Sequence, residues 1–173
     1  MLAAIGVGQR FCGDDAVGPV VLEQWAARYP ETAEDPRIHM EHCTLPGLTL
    51  LDILSGYELA VLVDAVLGGP SVEPGSLLLF NAEEIEGYQL ATGAEPDWGV
   101  AETLKLARVL YREEIPTRIK VLGIAAAQVE LGSVMSLDVL DALPAAVEKL
   151  QEIVVEMLGE LSRNGVRHRV QVE

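Results

Sequence analysis

The sequence predicts an α/β fold: a three-layer sandwich in which a mostly parallel central sheet carries helices on both faces. Three observations lead there. Leu59-Ala60-Val61-Leu62-Val63 is an uninterrupted apolar run, the pattern of a strand covered on both sides rather than one side. Strand-like runs alternate with helical stripes along the chain, as layered α/β architectures require. The first run, Leu2 to Val7, stops at a glycine turn that leads into a helix.

Taken in order, Leu2 to Val7 reads as a buried strand. Asp14 or Asp15 can cap the helix that follows, with Pro19 tolerated in its first turn. Leu22, Trp25, Ala26 and Tyr29 form that helix's buried stripe. Ile38 to His42 reads as a short strand and Leu48 to Leu54 as a short helix. The run from Leu59 to Val63 ends at Asp64. Pro74-Gly75 marks a turn before a strand over Ser76 to Phe80. Residues 81–98 form an acidic loop, long by ordinary standards. Val100, Leu104, Ala107 and Tyr111 make the next helical stripe, and Arg118 to Ile124 a further strand. Leu143, Val147, Leu150, Val154, Met157 and Leu161 give a closing amphipathic helix opened by Pro144. Residues 1–165 are read as one domain and 166–173 as a flexible polar tail.

The bulk numbers narrow the class. A chain of 173 residues, half of them hydrophobic, suits one globular domain. A formal net charge of -15 argues against nucleic acid and anionic membrane surfaces. It suits a cation ligand, a basic partner segment, or plain solubility. Cys12 and Cys43 make no disulfide framework and no CxxC pair. The N-terminus lacks a basic leader, and no apolar run reaches the length of a membrane span. The expected location is the cytoplasm, and the expected state a monomer.

The informative segment is Gly8-Gln9-Arg10-Phe11-Cys12-Gly13. It has the spacing of a phosphate-cradling loop, but Asp14 and Asp15 stand where that loop needs Lys and Ser/Thr. Two carboxylates at a strand-to-helix turn repel phosphate and attract a cation. A dinucleotide fingerprint starting at Gly6-Val7-Gly8 fails because Phe11 occupies its third glycine position. Asp64, directly after five apolar residues, lies at the edge of a low-dielectric core, where an unpaired carboxylate is costly. In open α/β sheets ligands bind at the carboxyl ends of strands. Asp14 or Asp15 and Asp64 can therefore face one crevice and share a cation. Other candidates have plainer roles: Cys12 as filler or soft ligand, His39 on the surface, His168 in the tail, Ser136 as a helix cap. The neighbours His42 and Cys43 are no catalytic pair by sequence adjacency alone.

The ordered motifs resemble those of the nickel-iron hydrogenase maturation endopeptidases. That family's signature G-x-G-N-x-x-x-x-D-[DE]-x-x-G is read here from Gly6 to Gly18, with Gln9 in place of asparagine. His42-Cys43-Thr44-Leu45-Pro46-Gly47-Leu48 is similar to its strand-to-helix turn. Leu62-Val63-Asp64-Ala65 is similar to the end of its central strand, and Trp98 to Leu104 to the start of its later helix. Glu130-Leu131-Gly132 with Ser136 resembles its segment before the last helix.

The resemblance implies an enzyme that removes a C-terminal peptide from a hydrogenase large-subunit precursor after nickel insertion. The nickel is brought by that precursor. Asp15 and Asp64 would be the acids that engage it, and no Ser or Cys nucleophile is implied. The family's third ligand, a histidine, falls on Pro96, which has no ligating atom. Asp97, Glu95 or His42 would have to replace it, and Asp97 completes the expected set Asp15, Asp64, Asp97. Imidazole suits nickel better than carboxylate does, so the exchange would weaken or alter metal preference. Two further readings stay open: a non-catalytic maturation chaperone that binds the precursor or a metal, and an unrelated α/β enzyme holding magnesium with Asp14, Asp15 and Asp64.

Overall fold

A computed structural model describes residues 1–67, 71–82, 84 and 99–170, with side chains described as far as residue 163. Five strands form one sheet: β1 (Leu2–Val7), β2 (Ile38–Cys43), β3 (Leu59–Leu67), β4 (Leu77–Asn81) and β5 (Arg118–Ala126). Their order is β2-β1-β3-β5-β4, with every neighbouring pair parallel except the antiparallel β4–β5 edge. The helices are α1 (Val17–Arg28), α2 (Pro30–Ala33), α3 (Leu48–Leu54), α4 (Val100–Leu110) and α5 (Leu137–Val170).

Strand alternation sorts the core into two layers. Val61 and Val63 of β3 join Leu22 and Trp25 of α1 and Val147, Leu150 and Val154 of α5 on one face. Ala60 and Leu62 join Leu50 and Leu54 of α3 and Val100 and Leu104 of α4 on the other. The predicted sandwich is the observed one. Trp25 donates its indole N–H to Gln151 (2.8 Å), so the largest buried side chain also satisfies its polar atom. Close packing of α1 on the sheet depends on Gly6 and Gly18: a Cβ on Gly18 would lie 2.2 Å from the Val7 carbonyl oxygen.

Several boundaries differ from the sequence reading. β3 does not stop at Asp64 but runs to Leu67, because β5 continues beside it and pairs Asp64 with Gly123. A 3-10 turn over Gly13–Ala16 precedes α1, and no side chain caps α1. Neither Asp14 nor Asp15 serves as its cap, since both carboxylates are engaged elsewhere. The last helix opens at Leu137 rather than at Pro144, which lies inside it. Ser136 supplies the start: its Oγ accepts from the Val139 N–H (3.4 Å). The backbone stays helical past Gly165, through residues 166–170.

Candidate active site at the carboxyl edge of the sheet

The candidate site begins where β1 ends and β3 continues. In register, Gly6 stands beside Val63, so Asp64 is level with Val7 and one residue before the chain turns away at Gly8. Alternation along β3 puts Asp64 on the same face as Ala60 and Leu62, toward α3 and α4. Cys43 pairs with Val7 and shares that row and face.

Gly8 makes the turn. Its φ of +129° is a conformation that L side chains rarely adopt, and a Cβ there would lie 1.8 Å from the Asp15 carbonyl oxygen. This close approach folds the 3-10 turn back onto the strand end. The Asp15 carboxylate then accepts the Gln9 N–H at 2.7 Å. Thus Gln9, the residue that departs from the resembled signature, holds Asp15 through its backbone N–H, a bond that asparagine at this position would offer equally.

The electrostatics of the pair are unequal. Burial raises the Asp15 pKa, partly offset by the hydrogen bond from Gln9. Asp64 lies deep among protein atoms while its side chain stays partly accessible. Burial first, and the nearby Asp15 charge second, push its pKa up to about 8, against a weaker lowering by the Ala65 N–H. Two carboxylates close enough to oppose each other's ionisation titrate as a unit. At neutral pH the pair favours holding one proton, and Asp64 is the member more strongly raised. A cation beside the pair would displace that proton, because its charge offsets both the burial cost and the repulsion that favour the protonated form.

Asp14 has a different task. It is fully buried, and its carboxylate accepts four hydrogen bonds from a single distant segment. The donors are the N–H groups of Ala127 (2.8 Å), Gln128 (3.1 Å) and Ser136 (2.6 Å), and the Ser136 hydroxyl (2.9 Å). It locks the 3-10 turn to the connection between β5 and α5, and so fixes the backbone that presents Asp15. Asp14 is thus satisfied as a structural anchor, leaving Asp15 as the acid open to the crevice.

The remaining candidates separate. His42 is exposed and lies 3.8 Å from Glu23 of α1, on the sheet face opposite Asp64 and Cys43. His39 stacks on Tyr57 at the surface. The Cys43 thiol is raised to about 11 by burial and then by the Asp64 charge, so it is protonated at neutral pH. It donates to the Leu45 carbonyl (3.3 Å). Cys12 is half-buried in the turn. Glu95, Pro96 and Asp97 lie outside the described residues. Among the described residues no three His, Cys, Asp or Glu side chains converge as a metal-holding set. At Gly99 the described chain resumes beside the turn after β2: the Thr103 hydroxyl donates to the Gly99 carbonyl (2.8 Å) and accepts from the Gly47 N–H (2.7 Å). The anchoring role of Asp14 is hidden from sequence reasoning, although its partner Ser136 stands out within the E-x-G-x-x-x-S segment.

Fold and site together define an α/β protein with a pair of neighbouring carboxylates, Asp15 and Asp64, at the carboxyl ends of its parallel strands. Residues 44–153 match the family described as hydrogenase maturation protease, and the chain belongs to that family. Asp64 lies within the matched span, and Asp15 lies before it. Among solved structures, the hydrogenase maturating endopeptidase HybD from Escherichia coli superposes with a TM-score of 0.71 at 16% identity, covering 90% of this chain and 93% of that one. The [NiFe] hydrogenase maturation protease HybD from Thermococcus kodakarensis gives 0.64 at 21%, covering 88% and 98%. HycI, a [NiFe] hydrogenase maturation protease from the same organism, gives 0.63 at 19%, covering 88% and 91%. These likenesses show a shared fold. Comparison with curated proteins finds no match.

Proposed function

We propose that this chain is an endopeptidase that removes the C-terminal peptide of a nickel-iron hydrogenase large-subunit precursor after nickel insertion. The observation that carries the reading is the Asp15–Asp64 pair, held together at the strand ends, where burial first and the Asp15 charge second raise Asp64. Such a pair is poised to exchange a proton for a divalent cation, which the precursor would bring as cargo. Recognition of the nickel by two carboxylates would restrict processing to the metal-loaded precursor. We assign the third contact to Asp97 or Glu95, since His42 faces α1 on the other side of the sheet from Asp64.

Peptide hydrolysis here would use water rather than a side-chain nucleophile. Cys43 is buried with its thiol raised to about 11, and the Ser136 hydroxyl is committed to Asp14 and the start of α5. Incubation of the protein with nickel-loaded precursor is expected to yield the shortened large subunit by mass spectrometry. Asp15→Asn and Asp64→Asn should each reduce the rate about a hundredfold or more, the usual scale for removing a group that meets the reacting centre. Absence of cleavage by fresh wild-type protein sinks the proposal. Pro96 at the family's histidine position favours a second reading, a non-catalytic chaperone. In that case Asp15→Asn would weaken precursor binding while no shortened product forms with any variant.

A further inference from the structure

The loops that present Asp15 also carry an apolar ridge. Phe11, Leu131 and Val134 are 78%, 82% and 78% exposed, large apolar side chains turned outward at the same end of the sheet. Their loops are pinned to each other. The Gly132 N–H donates to the Phe11 carbonyl (2.7 Å), Gly13 N–H to the Ser133 carbonyl (3.2 Å), and Asp14 N–H to the Gln128 carbonyl (2.9 Å). Gln128 also donates its side-chain amide to the Val134 carbonyl (2.8 Å), and the buried Asp14 carboxylate adds its own bonds. The hydrogen bonds hold the two loops together while three large apolar side chains on them project into water, the kind of exposure that interaction surfaces use when such side chains adjoin.

We propose that Phe11, Leu131 and Val134 dock an apolar segment of the large-subunit precursor adjoining its nickel, a segment with cationic rather than acidic neighbours. This rests on the proposed function. Continuity points to the occupant: Phe11 lies four residues before Asp15 in the turn whose Gln9 N–H holds that carboxylate, so a precursor engaging Asp15 would lie beside the ridge. Charge sets the segment's chemistry. Glu130 directly precedes Leu131, and Asp15 follows Phe11 by four residues in the same turn. Arg10, the one cation between Gly8 and Ala16, is engaged by Glu23. A second copy of this chain would bring another net charge of -15 against the same surface, which disfavours self-association.

The test is the double variant Phe11→Ser with Leu131→Ser, compared with wild type on nickel-loaded precursor. Both side chains are exposed, so the melting temperature should be unchanged. Loss of two well-packed apolar anchors should weaken precursor affinity and raise KM by about tenfold or more, with kcat within about twofold. Affinity within about twofold of wild type overturns the ridge while leaving the proposed function standing. So does a wild-type dimer that the variant dissolves without loss of precursor affinity. If wild type neither binds nor cleaves the precursor, the proposed function fails and the ridge's occupant with it.

Discussion

Replacing Asp64 with asparagine should stabilise the protein, and by an amount that grows with pH. In the folded chain the Asp64 carboxyl is pushed from 3.8 to about 8, whereas in the unfolded chain it is an ordinary aspartate. Below pH about 4 both states hold the proton and Asp64 contributes no pH dependence. Between the two values the unfolded state ionises while the folded state keeps its proton. The folded state then binds more protons, so stability falls as pH rises, by up to about 1.4 kcal/mol per pH unit. Above the folded value both are ionised and the loss is constant. The full shift corresponds to a ceiling of roughly 6 kcal/mol. Partial solvent access and relaxation of the crevice reduce that, so about 2–4 kcal/mol of growth between pH 5 and pH 8.5 is expected. The carboxamide of the Asp64→Asn variant does not titrate. Its advantage over wild type should therefore widen by roughly 5–15 °C in melting temperature across that range, using ~2–4 °C per kcal/mol for a chain of this length. Thermal unfolding by circular dichroism in metal-free buffer at the two pH values reads this directly. A gap between wild type and variant that is equal at pH 5 and pH 8.5 refutes the buried, coupled carboxylate.

Three further outcomes follow from the same geometry. Asp15→Asn removes the second cause of the Asp64 shift, so the Asp64 midpoint, followed by carboxyl NMR, should move down; an unmoved midpoint contradicts the coupling. Asp14→Ala leaves three backbone N–H groups and a hydroxyl without their acceptor. It should destabilise the fold by about 3–5 kcal/mol in urea unfolding, and a loss under about 0.5 kcal/mol would deny Asp14 its anchoring role. Gly8→Ala places a Cβ 1.8 Å from the Asp15 carbonyl oxygen at a φ of +129°. About 2–5 kcal/mol of destabilisation is expected from strain and overpacking, checked by the same unfolding curve.

Several of these features are legible in the chain. The apolar run from Leu59 to Val63 declares a strand buried on both faces, and the stripes of α1, α4 and α5 declare helices on a sheet, because burial imposes periods of two and 3.6 on any element it stabilises. The glycine turn followed by two aspartates, with Asp64 after an apolar run, marks an acidic edge. Boundaries are less legible. β3 passes Asp64 because β5 supplies hydrogen-bond partners beyond it, and a partner strand is not encoded locally. The start of α5 at Leu137 depends on a cap at Ser136, which itself is oriented by Asp14 122 residues away.

What the sequence alone determined is therefore the kind of architecture and the presence of surplus carboxylates at its edge, since patterning and composition are properties of the chain in order. The tertiary structure decided how those carboxylates divide their work. Folding buried Asp14 against the N–H groups after β5 and left Asp15 and Asp64 to face each other. The two residues at positions 14 and 15 have the same side chain. Only the donors and charges brought to each by distant segments make one an anchor and the other half of a proton-holding pair.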